Sequence, residues 1–276
     1  MLAKIHTACL AGLAVALLLS TSADAAPGRH KGELYFHWGY NWSVYSESDI
    51  HFEGPGYKFT LNEVTAHDRQ SAFKASTYLN PAKMTVPQYD ARIGYFFGER
   101  TSVSFGVSHL KYVVTQLQGT TISGFIDESA SSQYAGDYDN DLIRLDYDFL
   151  MYEHTDGLNY GNLEIETMVP IWEKDSLTQG LYATVGVGAG IVTPKTDVTL
   201  LGGERSDRFH LAGYGLNTKV GLKYEFLKRF FLQYFISVGW MNLTDIPTRG
   251  GGLDSAEQSL FYLEHAMVGG MTVYTF

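Results

Sequence analysis

The sequence predicts an all-β protein, a closed transmembrane antiparallel β-barrel of about 10–12 strands with longer loops on one side. Three observations predict it. Bulky and small or polar residues alternate along most of the chain, the period of a strand with two different faces. Aromatics are abundant, with 19 Tyr, 16 Phe and 4 Trp, while only 18% of residues are charged. Yet beyond residue 25 no apolar run approaches the roughly 20 residues that a membrane helix needs. Finally, the segment Gly269-Gly270-Met271-Thr272-Val273-Tyr274-Thr275-Phe276 alternates and then stops on an aromatic. A strand with one face in lipid accommodates such an end, whereas a chain terminus in water gains nothing from it.

Residues 1–25 read as a secretory signal peptide. Lys4 gives the positive start, Ala8 to Leu19 the apolar stretch and Ala23-Asp24-Ala25 the small-residue cleavage site. Cys9 falls in that segment, so residues 26–276 have no disulfide available. They carry no Pro- or Ser-rich linker and are expected to form one barrel domain. A net charge of −10 excludes nucleic acid as a partner, because phosphate backbones select clustered Lys and Arg.

Along the chain, Leu34, Phe36, Trp38, Tyr40 and Trp42 share one strand face, and Tyr35, His37, Gly39 and Asn41 the other. Tyr89, Ala91, Ile93, Tyr95 and Phe97 repeat the pattern, as do Leu181 to Ile191, His210 to Phe226 and Phe230 to Asn242. Connections are of two kinds. Those at Gly98-Glu99-Arg100, Glu173 to Ser176 and Leu227-Lys228-Arg229 are short and charged; those at 69–87, 127–140, 193–207 and 244–257 are long. Barrels place short turns on the periplasmic side and long loops outside. This parity makes Thr155-Asp156-Gly157 an outer turn. It leaves Ser48 to Pro87 with one strand or three, because Gly54-Pro55-Gly56 interrupts it and Pro donates no ladder bond.

The final Tyr274 and Phe276 resemble the C-terminal signature of Gram-negative outer-membrane β-barrels. That resemblance implies a location in the cell outer membrane. It also implies that these two residues form an assembly signal read by the barrel insertion machinery. Outer-membrane lipids and lipopolysaccharide are then the expected partners of a monomer. Ser48-Asp49-Ile50-His51-Phe52 and Glu153-His154-Thr155-Asp156-Gly157 resemble segments of an uncharacterised family of such barrels, which brings no activity with it.

Chemistry has two candidate places. Tyr152 to Asn159 is similar to the rim of lipid A deacylase-type barrels, which implies His154 as base with Glu164 or Asp148 as orienting carboxylate. In that pattern a Ser nucleophile follows the His by two residues, and here Asp156 stands there. The bland reading is a turn-capping Asp beside a hydrogen-bonded His. The second place is the inward face of the barrel, where Asp90, Arg92, Arg144, Asp146, Asp148, Glu164, Glu166, Lys219, Lys223 and Glu225 are expected. In a narrow lumen these charges must pair across strands, giving a salt-bridged plug or, with an open path, a selective pore. Asp137 to Asp141 alternates carboxylates like the start of a calcium loop, but Leu142 replaces the required Gly. The remaining His residues lack metal-ligand spacing, and no cofactor is expected. Three functions stay open: a structural or interaction barrel with a packed lumen, an outer-leaflet lipid hydrolase, and a narrow channel for small solutes.

Overall fold

A computed structural model of the protein describes residues 30–83, 85–174, 179–249 and 254–274. The first strands are β1 (Glu33–Tyr45), β2 (Ser48–Gly54), β3 (Tyr57–Val64), β4 (Ala66–His67) and β5 (Tyr89–Phe96). Next come β6 (Thr101–Val114), β7 (Gly119–Ile126), β8 (Gly136–Arg144), β9 (Leu150–Glu173) and β10 (Gly180–Val192). The chain ends with β11 (Lys195–Leu200), β12 (Ser206–Phe209), β13 (Gly213–Phe226), β14 (Phe230–Pro247) and β15 (Ser255–Tyr274). The neighbours in one sheet run β1-β5-β6-β9-β10-β13-β14-β15, and β1 pairs with β15 as well. That last pairing holds from Glu33↔Tyr274 to Tyr45↔Tyr262, so these strands close a ring. Every pairing in it is antiparallel.

The alternation decides which side chains line the wall. Leu34, Phe36, Ile93, Phe105, Leu163, Ile191, Leu216, Leu222, Leu232 and Met267 all point outward, each more than a third exposed. A soluble protein does not expose an apolar belt of this extent, whereas a closed sheet in lipid requires one, since no backbone edge is left unpaired. Aromatic contacts mark its two rims. Tyr224, Phe226 and Phe230 stack in succession near the short turns, and Tyr214 meets Trp240 edge-on near the long loops. The molecule is a transmembrane antiparallel β-barrel.

Among the described residues the ring contains eight strands, fewer than the 10–12 expected. Two physical causes account for the difference. Thr155-Asp156-Gly157 is not a turn: β9 runs through it for 24 residues without reversing. Gly157 takes a positive φ of 124° there, and the pairing with β6 shifts register near Leu110. Meanwhile β2, β3, β7 and β8 extend a sheet from the upper end of β15 instead of entering the ring. On the other side β11 and β12 attach to the upper end of β9. The Gly54-Pro55-Gly56 break is the tip of the β2–β3 hairpin.

These extensions form a tall rim on the long-loop end, filled with its own apolar core. Ile50, Phe52, Phe59, Leu61, Tyr112, Ile122, Phe149, Tyr152, Val198 and Leu243 are among its fully buried members. Side chains of this size and burial are each worth about 1.5–3 kcal/mol relative to exposure, so the rim is packed like the interior of a soluble sandwich. The rim strands therefore pack over the upper end of the barrel.

Candidate functional site: the filled lumen

The inward faces of the ring strands meet in three layers. Nearest the short turns, Tyr35, Phe96, Met168, Tyr182 and Phe231 cluster around Lys223. The Lys223 ammonium stands 4.0 Å from the Phe231 ring centre and 3.5 Å from Glu225. A desolvated cation over aromatic faces is attracted by their quadrupoles. His30 closes this layer, 2.8 Å from Glu33 and 3.1 Å from Glu225, with its ring stacked on Phe96.

The middle layer is charged. Lys219 lies between Glu164, at 2.5 Å, and Glu166, at 2.8 Å. Gln233 Nε2 donates to Glu166 at 3.0 Å and to Thr184 at 3.1 Å. Arg92 donates to Asn162 at 2.9 Å and Ser104 at 3.1 Å, and sits 3.8 Å from Glu164. Asp90 contacts His37 Nε2 at 2.6 Å and accepts from the Ser108 hydroxyl at 2.9 Å. Asn41 Nδ2 donates to Glu264 at 2.7 Å. All these groups are buried, which makes the pairing obligatory: a lone charge in a low-dielectric interior costs several kcal/mol.

Three cross-strand pairs explain how aromatic rings fit a narrow barrel. Tyr35 faces Gly94, Tyr262 faces Gly239 and Phe231 faces Gly270 in register. Each ring lies so close over its glycine that an added Cβ would overlap it. The glycines of the inward faces are the spaces these rings occupy. Above the charges comes the apolar rim core, so the third layer caps the first two.

Of the expected lumen charges, Asp90, Arg92, Glu164, Glu166, Lys219, Lys223 and Glu225 do line the interior. Arg144, Asp146 and Asp148 do not. Arg144 ends β8 on the outer edge of the extension and pairs with Asp146 at 3.3 Å, with the two side chains 60% and 46% exposed. Asp148 accepts from Gln133 in the neighbouring loop. Their alternation imitates a strand face, but β8 and the connection after it belong to the rim. Sequence reasoning missed His30, Glu33, Ser104, Ser108, Asn162 and Glu264. Position gives the signal for Ser104, Ser108, Asn162 and Glu264, since each is an even step along its strand from another inward residue. Tyr274 pairs through its backbone with Glu33, while Phe276 and residues 1–25 lie outside the described residues.

His154 is not joined by either proposed carboxylate. It is fully buried in the rim core, with Nδ1 3.0 Å from the Thr196 hydroxyl and Nε2 without a partner. Tyr112 and Tyr152 pack against its ring. Burial pushes its pKa down to about 3, so it stays neutral. Glu164 is committed to Lys219, Asp148 is on the surface, and Asp156 bonds Lys195 at 2.6 Å. A base, an orienting acid and a reachable nucleophile are thus not assembled at His154. Asp137, Asp139 and Asp141 lie on exposed β8, and among the described residues no group of three or more His, Cys, Asp or Glu is placed to hold a metal.

No protein-family model matches the chain, and no curated protein matches it in sequence. In structure it is similar to a number of solved proteins, three of which follow. The outer membrane protein OprG of Pseudomonas aeruginosa aligns with 10% identity and a TM-score of 0.40, over 90% of this chain and 99% of that one. Neisserial surface protein A aligns with 9% identity and a TM-score of 0.34, over 88% and 97%. Ail, the attachment invasion locus protein of Yersinia pestis, aligns with 12% identity and a TM-score of 0.31, over 86% and 99%.

Proposed function

We propose that this chain is an outer-membrane β-barrel that serves as a structural and interaction barrel, with a lumen that conducts nothing and performs no hydrolysis. The observation that carries the reading is the layered filling of the interior. Aromatic rings around Lys223 occupy the lower end, the Lys219–Glu164–Glu166 and Arg92–Asp90 groups the middle, and the apolar rim core the top. Solute passage needs a continuous polar path, and the apolar cap and the aromatic layer both oppose one. Hydrolysis at His154 has a hydroxyl neighbour in Thr196 but neither an orienting carboxylate nor solvent access. On this reading the barrel acts through its outer surface: a monomer among lipids and lipopolysaccharide, delivered by the insertion machinery through Tyr274 and Phe276.

The test is electrical. Purified barrel in planar bilayers with molar potassium chloride is expected to stay silent. Stepwise conductance that persists in repurified protein would overturn the sealed lumen. Lipid A and phospholipids from cells with and without the protein are expected to have identical acyl chains.

A further inference from the structure

Between Arg69 and Gln88 the chain contains three basic residues, Arg69, Lys74 and Lys83, and no acid, in a protein with a net charge of −10. This segment does not project away from the barrel. A short helix, Ala75–Tyr78, lies against the outer wall, where the Tyr78 ring meets Tyr40 of β1 at 4.7 Å. Tyr40 in turn meets Trp38 at 4.6 Å, and its hydroxyl donates to the Tyr78 carbonyl. The Tyr78 hydroxyl donates to Ser71 O at 2.8 Å, and Lys111 Nζ of β6 donates to Val86 O at 3.1 Å. The segment is therefore held over the outward faces of β1 and β6.

Its side chains do not suit water. Phe73 is 85% exposed, its ring 5.1 Å from that of Tyr78, and Leu79 is 80% exposed. Lys74 and Lys83 are exposed and make no ion pair among the described residues, whereas Arg69 is paired with Glu153 at 2.8 Å. Apolar side chains at the acyl boundary, with free ammonium groups at the phosphate level, are the arrangement by which an interfacial segment grips an anionic lipid.

We infer that residues 71–83 form a docking foot for lipid A, the phosphorylated and multiply acylated lipid of the outer leaflet. Phe73 and Leu79 enter among its acyl chains, and Lys74 and Lys83 contact its phosphates. The inference rests on the outer-membrane reading above and names the surface through which the barrel engages its leaflet. A second copy of the chain is a poorer occupant, because it brings no acyl layer to receive Phe73 and Leu79.

The experiment uses the full barrel folded in three bilayers: phosphatidylcholine alone, phosphatidylcholine with lipid A, and phosphatidylcholine with phosphatidylglycerol at equal charge. Backbone amide exchange of residues 71–83 is read against that of β13 as internal reference. Exchange is expected to be at least tenfold slower with lipid A than in phosphatidylcholine alone, with phosphatidylglycerol close to the latter. The double change Lys74→Gln and Lys83→Gln is expected to remove the lipid A effect, and Phe73→Ser with Leu79→Ser to speed exchange in all three bilayers. Equal exchange with and without lipid A would overturn the proposal, as would equal slowing by phosphatidylglycerol. The comparison of bilayers needs no variant, so it stands even where a variant folds poorly. Conductance by the wild-type barrel would sink the sealed lumen and leave this result in place.

Discussion

Lys219 stands 2.8 Å from Glu166 in the middle of the lumen, and only 3% and 6% of the two side chains are exposed. Glu164 reaches the same ammonium from the next inward position of β9, so one cation serves two carboxylates. Both acids depend on it. Lys219→Met is expected to cost about 3–5 kcal/mol, because Glu166 loses its ion pair and Glu164 keeps only Arg92 at 3.8 Å. Adding Glu164→Gln and Glu166→Gln should recover much of that loss. The measurement is the urea midpoint for loss of the heat-resistant folded form on gels; an unchanged midpoint for Lys219→Met would show that the pairing contributes nothing.

His154 makes stability depend on acid. Its pKa falls from 6.5 to about 3 on folding, so the unfolded chain binds the extra proton between those values. Its contribution is fully present above pH 6.5 and is lost as pH falls below it, at about 1.4 kcal/mol per pH unit until about pH 3. His154→Phe keeps a ring in the Tyr112–Tyr152 setting and removes both the proton site and the unpartnered Nε2. Its unfolding free energy should depend on pH less steeply between 6 and 4 by one proton's slope. Parallel curves for the two proteins would contradict this.

Gly239 lies under the Tyr262 ring, directly across the β14–β15 pair. Gly239→Ala forces the ring or the strand aside and is expected to destabilise the barrel by about 1–3 kcal/mol. Adding Tyr262→Leu, which withdraws the ring, should reduce the penalty. A penalty of the same size in both backgrounds would disprove the contact as its cause.

The orientation follows from the short β5–β6 and β13–β14 turns lying opposite the β7–β8 extension. A cysteine at Glu99 or Lys228 is expected to resist an impermeant thiol reagent on intact cells, and one at Asp137 to react. Labelling in the opposite sense would invert the barrel.

The ring strands were legible because each has one face in lipid and one in the lumen. A two-residue period such as Leu34, Phe36, Trp38, Tyr40 and Trp42 needs no partner to be seen. Strand count was not legible. Asp156-Gly157 carries the residue types of a hairpin turn, but here they make an irregularity inside β9, and only pairing with β6 on both sides distinguishes the two. Likewise Arg144, Asp146 and Asp148 alternate like an inward face although no ring closes around them. Of the candidate catalytic group, His154 could be located, but its isolation could not be read: nothing in its neighbours along the chain reveals that Thr196, Tyr112 and Tyr152 surround it.

The β1–β15 seam, joining Glu33 to Tyr274, sets the order in which the molecule forms. Neither strand at the seam has its second neighbour until the other arrives, and nearly the whole chain separates them. Until then each presents an open edge that pairs readily with any other exposed strand. Contacts this distant in sequence make folding slow, because loop closure precedes the reward of pairing. The edges of β1 and β15 in the newly made chain therefore stay open through the synthesis of all the strands between.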